Sequence, residues 1–214
     1  MSNLFYRFHI GWPRENKIRW KDVKLIVFFN HTSLFDVVYL GILPIPFLRM
    51  LSKRMAAPGA DKTLNRPIVG AFFKLFSPGM TPITRKRDDS WQQFLESVHS
   101  DSIIVIAPEG RMKRKDGLDL SGKKMTVRAG VIDVLASLDK GQMLFAYSGG
   151  LHHIQIPGEG FPKLFKIIKM DVEAFDIPTY KAGFKEETGT RAWRKLVIED
   201  LQHRLETKPP RFES

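Results

Sequence analysis

The sequence contains no cysteine among its 214 residues, which excludes a disulfide framework, thiolate chemistry and a zinc site built on cysteine. It also lacks a long uninterrupted hydrophobic run. The longest apolar stretch, from Val37 to Leu48, is broken by Gly41, Pro44 and Pro46, and it falls short of the ~18 to 20 residues that a membrane-spanning helix needs. We therefore expect no crossing of a bilayer, and the absence of cysteine is compatible with a reducing interior.

Acidic residues are scarce relative to basic ones, because 23 Asp and Glu against 34 Lys and Arg leave a formal net charge of +11. This balance favours an anionic partner, such as nucleic acid, anionic lipid or a phosphorylated small molecule. Nucleic-acid binding typically requires aromatic side chains interleaved with basic ones. The basic segment from Arg111 to Lys115 contains no aromatic residue, so we expect no nucleic-acid partner.

Alternating strand-like and helix-like segments predict one α/β domain over residues 23–206, with a mixed central sheet flanked by helices. Residues 1–22 carry alternating apolar side chains that predict a strand or an extended arm, and their aromatic and basic residues could instead contact a lipid interface. Residues 207–214 are expected to form a flexible tail. Strands are predicted at Leu25–Phe29, Phe47–Lys53, Ser102–Ala107, Met143–Tyr147 and Lys163–Phe175, a loop at Ala56–Gly59, and helices around Asn65–Phe76, Trp91–Val98, Val127–Leu138 and Glu186–Glu206.

The polar segment from Asn30 to Asp36 directly follows the predicted strand Leu25–Phe29. Ser33 is a typical helix N-cap, so His31 is expected in the loop and Asp36 in the first helical turn. Within one helix the two side chains would lie about 140° apart and could not face each other, whereas across a turn the carboxylate reaches one imidazole nitrogen. Asp36 would then fix the tautomer of His31 and leave the other nitrogen free to accept a proton.

A His and Asp pair without its own nucleophile suits a reaction in which a substrate hydroxyl or amine attacks a bound electrophile, while the protein only removes the proton. A serine nucleophile is poorly supported, because Ser33 occupies the cap position. Such a pair also occurs in proteins as a purely structural hydrogen bond, so these residues alone leave both interpretations open.

A second polar cluster, Pro108-Glu109-Gly110-Arg111, follows the predicted strand Ser102–Ala107. An acid and an Arg beside a Gly at the carboxyl end of a strand are typical of ligand sites in open α/β sheets. Arg85 follows another short apolar segment and is well placed to bind a phosphate. The pair His152-His153 resembles zinc ligands, but adjacent histidines rarely bind one ion and no further ligands follow at suitable spacing, so no metal site is predicted.

Four blocks of the chain resemble, in order, those of the glycerolipid acyltransferase family, which includes the glycerol-3-phosphate and 1-acylglycerol-3-phosphate acyltransferases. The resemblance covers roughly residues 23 to 150, and two of its blocks at this mutual spacing are fairly specific. Asn30-His31 to Asp36 matches N-H-x-x-x-x-D, and Pro108-Glu109-Gly110 matches P-E-G. The other two blocks are Lys53 with Arg66–Gly70 and Gly79–Arg85, and then Met143–Gly149.

The resemblance implies a glycerol-3-phosphate acyltransferase-like fold in which His31 is the general base and Asp36 orients it. The acceptor hydroxyl would attack the thioester of acyl-CoA or acyl carrier protein directly, without an acyl-enzyme or a cofactor. The implied acceptor is a lysophospholipid such as lysophosphatidic acid, or glycerol phosphate. The residues implied in binding it are Lys53, Arg85, Glu109, Gly110, and Arg111 or Arg114, with backbone amides near Gly110 as candidate oxyanion donors.

The family commonly reads E-G-T-R in its third block, whereas here Arg111 follows Gly110 directly and Arg114 comes three residues later. The last block also lacks its usual Pro. We expect a cytoplasmic enzyme in peripheral contact with an anionic membrane. Two alternatives remain open at this stage: acylation of another lipid or of an amine, and a catalytically silent basic module that binds membranes.

Overall fold

The computed structural model describes residues 2–60, 80–84, 89–156 and 161–212. Its strands span Arg7–Gly11 (β1), Val23–Phe29 (β2), Met55–Ala60 (β3), Met80–Ile83 (β4), Ile103–Ile106 (β5), Gln142–Ser148 (β6) and Ile167–Asp176 (β7). They form one seven-stranded sheet in the order β1-β7-β6-β2-β5-β3-β4. Neighbouring strands are parallel except β6 and β7, which are antiparallel. The predicted mixed sheet is therefore confirmed.

Helices cover both faces of this sheet. The α-helices are Ser2–Phe5 (α1), Ile45–Arg54 (α2), Ser90–Glu96 (α3), Gly130–Ser137 (α4), Ile177–Ala182 (α5) and Arg191–Thr207 (α6), and 3₁₀ helices cover Trp20–Asp22 and Leu34–Ile42. Ser33 caps the second 3₁₀ helix, since its hydroxyl accepts the Phe35 N–H at 3.1 Å. No helix in the described residues is long and apolar enough to span a membrane.

The side chains of β2 alternate between the two faces of the sheet, as the period of a strand requires. Leu25, Val27 and Phe29 are fully buried in a core that they share with α4 and α6. Ile26 and Phe28 point to the opposite face, where they meet side chains of α2 and the second 3₁₀ helix and are only half-buried. The sheet therefore has one tightly packed face and one face with open space beside it.

Arg204 fixes α6 to the packed face. Its guanidinium lies 5.3 Å from the ring centre of Phe145 and 5.0 Å from that of Phe175, donates to Asp200 Oδ2 at 2.8 Å and pairs with Glu173. The contact of the guanidinium with the two rings and the paired charges both hold the helix against the sheet.

The predicted strand Phe47–Lys53 is wrong, because this segment lies inside α2. Pro46 stands in the first turn, where a missing N–H costs the helix nothing. Phe47 and Leu51, four residues apart, bury the same side of the helix. A run of seven residues that fits both periodicities cannot be assigned from sequence alone, and here Pro46 in the first turn and the tertiary packing of Phe47 and Leu51 select the helix.

The predicted loop Ala56–Gly59 is also wrong, because it forms most of β3. Its small residues and Pro58 are typical of loops, but β3 is paired with β5 on one side and β4 on the other. The alternating segment near the amino terminus forms β1, preceded by the short helix α1. The predicted helix Asn65–Phe76 lies outside the described residues.

Candidate active site

The loop after β2 takes an unusual backbone turn at Asn30, whose φ is +63°. Asn tolerates this left-handed conformation better than most residues. Its side-chain Nδ2 donates to the Ser148 carbonyl at 2.7 Å, and its backbone N–H donates to Glu109 Oε1 at 2.6 Å. Gly150, at φ +84°, lies against this turn, since a Cβ there would stand 3.5 Å from Asn30 Nδ2. The ends of β2, β5 and β6 thus hold the loop together.

His31 and Asp36 meet across the turn, as the sequence predicts. Nδ1 of His31 lies 2.7 Å from Asp36 Oδ2, and the Thr32 N–H donates to the same oxygen at 3.3 Å. A carboxylate only accepts hydrogen bonds, so Nδ1 carries the proton. Nε2 is left without a hydrogen-bond partner among the described residues and is the nitrogen that can accept a proton.

Burial lowers the pKa of His31, but the hydrogen bond to Asp36 and the negative charges of Asp36 and Glu109 outweigh it. The net result is a pKa above the ordinary 6.5. The imidazole of His31 is therefore a stronger base than an isolated one, and its protonated form is stabilised by two carboxylates.

Glu109 is only 1% exposed and lies behind the loop rather than at the surface. Burial raises its pKa to about 7, although hydrogen bonds from backbone N–H groups, including that of Asn30, oppose the shift. Its Oε2 is buried and has no hydrogen-bond partner in the described part of the chain. The carboxyl group is thus placed to fix the position of the His31 loop.

The two candidate arginines of the third block have different surroundings. Arg111 is largely buried and forms an ion pair with Asp119, whose side chain is only 2% exposed. Asp119 in turn accepts the N–H groups of Ser121 at 2.7 Å and Lys123 at 2.9 Å. Arg114 is exposed and lines a pocket of about 430 Å³ with Lys115, Asp116 and Ile156.

The segment that carries Arg114 is joined directly to the loop that carries His31. The Lys113 N–H donates to the His31 carbonyl at 2.8 Å, and Nε2 of His152 lies 2.8 Å from the Lys113 carbonyl. Sequence reasoning missed these contacts and the ion pair of Asp119, because each depends on how a loop folds back on itself. Gly110 is exposed at φ +61°, and its N–H donates to the Ala107 carbonyl at 3.0 Å.

No contact in the described residues joins Lys53 to His31. Lys53 is exposed in the last turn of α2. Arg85 lies outside the described residues.

A cavity of about 440 Å³ lies on the more open face of the sheet, and His31 and Asp36 form part of its wall. Nearly all of the remaining wall is apolar. It is built from residues of six strands, β2 to β7, together with residues of α2 and the second 3₁₀ helix, among them Ile26, Phe28, Leu40, Leu48, Leu144 and Val172. The half-buried state of Ile26 and Phe28 is explained by this space. An apolar cavity beside a basic imidazole suits a ligand with a hydrocarbon chain.

Comparisons with known proteins concern the family and the fold of the chain. A family model described as Acyltransferase matches residues 14–146. Among solved structures, the chain is similar to PlsC of Thermotoga maritima, a 1-acyl-sn-glycerophosphate (LPA) acyltransferase, with a TM-score of 0.52 and 18% sequence identity. The similarity covers 96% of this chain and 74% of that one. No curated protein matches the sequence.

Proposed function

We propose that this chain, which belongs to the acyltransferase family, moves a fatty acyl group from a thioester donor to the hydroxyl of a lysophospholipid or glycerol phosphate. The donor is acyl-CoA or acyl carrier protein, and lysophosphatidic acid is the proposed acceptor because PlsC acts on that class of lipid. The observation that best supports this proposal is that the His31 and Asp36 pair lines an apolar cavity of about 440 Å³. The enzyme would work in the cytoplasm as a peripheral protein on the membrane that contains its acceptor.

In the proposed reaction, Nε2 of His31 takes the proton of the acceptor hydroxyl as its oxygen attacks the thioester carbonyl carbon. The tetrahedral intermediate then expels the thiolate, which receives that proton from the imidazolium, so a new ester and a free thiol are formed. Asp36 holds Nδ1 at 2.7 Å throughout and stabilises the charged imidazolium. Hydrogen-bond donors for the oxyanion are proposed among the backbone amides near Gly110.

Direct transfer, without an acyl-enzyme, is supported by the absence of cysteine and by the state of the Ser33 hydroxyl. The chain has no cysteine. Ser33 is 1% exposed, and its hydroxyl accepts the Phe35 N–H while donating to Gln155 Oε1 at 3.1 Å. A hydroxyl buried in two hydrogen bonds is a poor nucleophile, so the attacking oxygen is proposed to be that of the acceptor.

The acyl chain is proposed to occupy the apolar cavity. Each methylene transferred from water into such a wall gains about 0.8 kcal/mol. The interaction is non-directional, so the strand and helix side chains provide affinity while His31 and Asp36, at the same wall, face the reacting carbonyl.

The phosphate of the acceptor is proposed to bind Arg114, together with Arg85 and Lys53. Arg114 is exposed beside a pocket of about 430 Å³ and follows Lys113, which is bonded to the His31 carbonyl. Arg111 is paired with buried Asp119, so we propose that it shapes the segment rather than contacting the phosphate. Glu109 is proposed to position the catalytic loop.

The test measures the thiol released from long-chain acyl-CoA and, in a separate assay, from the acylated form of acyl carrier protein. Each donor is offered with lysophosphatidic acid, other lysophospholipids, glycerol 3-phosphate or a long-chain amine. Acceptor-dependent release is expected from the wild type and not from His31→Gln. His203→Gln, an exposed histidine of α6, is the matched control and should behave as the wild type.

Other results would contradict the proposal in distinct ways. Release without any acceptor, still lost in His31→Gln, would indicate a thioesterase. Faster thiol release with the long-chain amine than with any hydroxyl acceptor would indicate that the enzyme acylates an amine. Acceptor-dependent release that survives in His31→Gln would remove His31 from its role as base.

A further inference from the structure

One surface exposes large apolar side chains that no described part of the chain covers. Phe161 is 90% exposed, Phe165 77% and Leu4 74%, and Leu164 and Phe5 are 46% and 39% exposed. We call these five residues the apolar ridge. Leu4 adjoins Phe5 and Leu164 adjoins Phe165 along the chain, and Phe161 lies four residues before Phe165. Groups of exposed apolar side chains mark sites of interaction with another surface.

The ridge is one structure although its residues come from distant parts of the sequence. The Phe165 N–H donates to the Phe5 carbonyl at 2.8 Å, and the Arg7 N–H donates to the Lys166 carbonyl at 3.2 Å. The rings of Phe5 and Phe165 lie 6.5 Å apart. The contacts continue into the parallel pairing of β1 with β7, so the ridge is held on the sheet.

The ridge lies at the same edge of the sheet as the catalytic loop. Because β7 is antiparallel to β6, the beginning of β7 meets the end of β6, with Met170 opposite Ser148. The end of β6 also pairs with the end of β2, just before His31. In addition, the ring of Tyr6 packs 5.6 Å from that of Phe35, in the 3₁₀ helix that carries Asp36.

The two segments that carry the ridge are basic. Residues 2–12 and 161–169 contain Arg7, Lys163, Lys166 and Lys169 and no Asp or Glu, and the first acidic residues on either side of the second segment are Glu159 and Asp171. Arg7, Lys163 and Lys166 are exposed. Aromatic and leucine side chains interleaved with basic residues are the composition of surfaces that insert into the interface of an anionic bilayer.

Phe165 provides an independent sign that the ridge is built for a partner. Its φ is +58°, a conformation that is a genuine outlier for a bulky residue. The ring gains little burial in return, since it remains 77% exposed. The strained backbone thus presents an aromatic ring to the surroundings, which is typical of functional segments.

We propose that the apolar ridge inserts into an anionic lipid bilayer and holds the catalytic edge of the sheet against it. This inference rests on the proposed function because it takes the acceptor to be a lipid that the bilayer supplies. The phenyl and leucine side chains enter the interfacial layer, and the neighbouring Lys and Arg side chains pair with anionic headgroups. An acceptor would then reach His31 without leaving the membrane surface.

The test measures binding of the full chain to vesicles that contain no substrate. Vesicles of phosphatidylcholine alone are compared with vesicles containing phosphatidylglycerol, by flotation. The central variant is Phe161→Ser with Phe165→Asn, since Asn accepts the left-handed conformation at position 165 and removes the ring. A second variant, Lys163→Ser with Lys166→Ser, removes charge alone. The matched controls are Leu196→Ser and Lys195→Ser, on the exposed side of α6.

We expect the wild type to bind the anionic vesicles and to be released by salt, because exposed charges are screened. Each double variant should bind roughly tenfold or more weakly, with a thermal unfolding midpoint no lower than that of the wild type, while both controls bind normally. Equal binding by the Phe161 and Phe165 variant would overturn the proposal. So would failure of the wild type to bind, including a result in which it self-associates through the ridge instead.

The vesicle measurement and the thiol-release measurement fail independently. An active enzyme that binds vesicles without the ridge contradicts only the docking surface. Ridge-dependent vesicle binding by a protein that transfers no acyl group contradicts only the proposed function.

Discussion

The backbone N–H of Asn30 donates a 2.6 Å hydrogen bond to the carboxyl group of Glu109, 79 residues later in the chain. Both residues are buried, at 7% and 1% exposed. The bond connects the end of β5 to the left-handed turn that precedes His31. Glu109 therefore fixes the backbone of the loop that carries His31.

Substitution of Glu109 should separate the hydrogen bond from the charge. Glu109→Ala leaves a buried N–H unpaired and should lower the free energy of unfolding by about 1–3 kcal/mol. Glu109→Gln keeps an acceptor oxygen for the Asn30 N–H and should lose less. Urea unfolding of the two variants measures the difference, and equal losses would show that the bond to Asn30 is not what stabilises the loop.

Stability should also depend on pH through Glu109. Burial raises the pKa of this carboxyl group to about 7 in the folded protein, from an ordinary 4.5. The contribution of Glu109 to the free energy of unfolding is therefore complete below pH 4.5 and is lost as the pH rises towards 7. Relative to the wild type, Glu109→Gln should gain free energy of unfolding between pH 4.5 and 7. A difference that stays constant over this range would contradict the raised pKa.

The pH dependence of acyl transfer should report the His31 and Asp36 pair. Because the base must be neutral, the rate should rise with pH through a pKa above the ordinary 6.5 of histidine. Asp36→Asn removes the negative charge, and its amide can donate to Nδ1 and so favour the wrong tautomer of His31. The rising limb should therefore move to lower pH, and the plateau rate should fall by roughly 10²-fold or more. Asp139→Asn, at an exposed carboxylate, is the control. If the rising part of the pH–rate profile of Asp36→Asn stays at the pH of the wild type, Asp36 does not raise the pKa of His31.

Arg111 and Arg114 should give opposite phenotypes. Arg111→Met leaves Asp119 buried without its partner and should cost about 3–5 kcal/mol of stability. Arg114→Met should change stability by less than about 0.5 kcal/mol, because the side chain is exposed. It should instead raise KM for a phosphate-containing acceptor, with KM for the donor unchanged. Steady-state kinetics and urea unfolding of both variants measure these effects. A stable Arg111→Met variant with a raised KM for the acceptor would instead assign phosphate binding to Arg111.

Filling the apolar cavity should shorten the acyl chain that the enzyme prefers. Ala146 lies on its wall in β6, and Ala146→Leu would place added carbons in the space proposed for the acyl chain. Competition between acyl-CoA donors of different length should show a shift towards shorter chains. Ala182→Leu, at an exposed position of α5, should leave the preference unchanged. An unaltered preference in Ala146→Leu would place the chain elsewhere.

The sequence predicts the parts of this site that depend on local geometry. His31 and Asp36 could be placed across a turn because a strand ends at Phe29 and Ser33 is a cap, and Glu109 could be placed at the same edge because it follows another strand. The resemblance of residues 23–150 to glycerolipid acyltransferases agrees with the family match over residues 14–146. Both arguments need only the strand ends and the motif spacing.

What the sequence could not predict depends on contacts between distant residues. The segment from Phe47 to Lys53 fits a strand or a helix until its packing is known. The burial of Arg111 follows from a loop that returns eight residues later to Asp119. The cavity exists because Ile26 and Phe28 face a layer that does not fill the space, and no periodicity in β2 distinguishes such a face from a packed one.

The most direct test of direct transfer follows a radiolabelled acyl group in a single turnover. Purified protein in excess is mixed with labelled acyl-CoA or acyl carrier protein, with and without lysophosphatidic acid, and the label on protein and on lipid is counted. We expect label to appear on the lipid only when the acceptor is present, none on the protein, and none on either in His31→Gln. Label that accumulates on the protein without acceptor, or transfer that persists in His31→Gln, would contradict a general-base mechanism centred on His31.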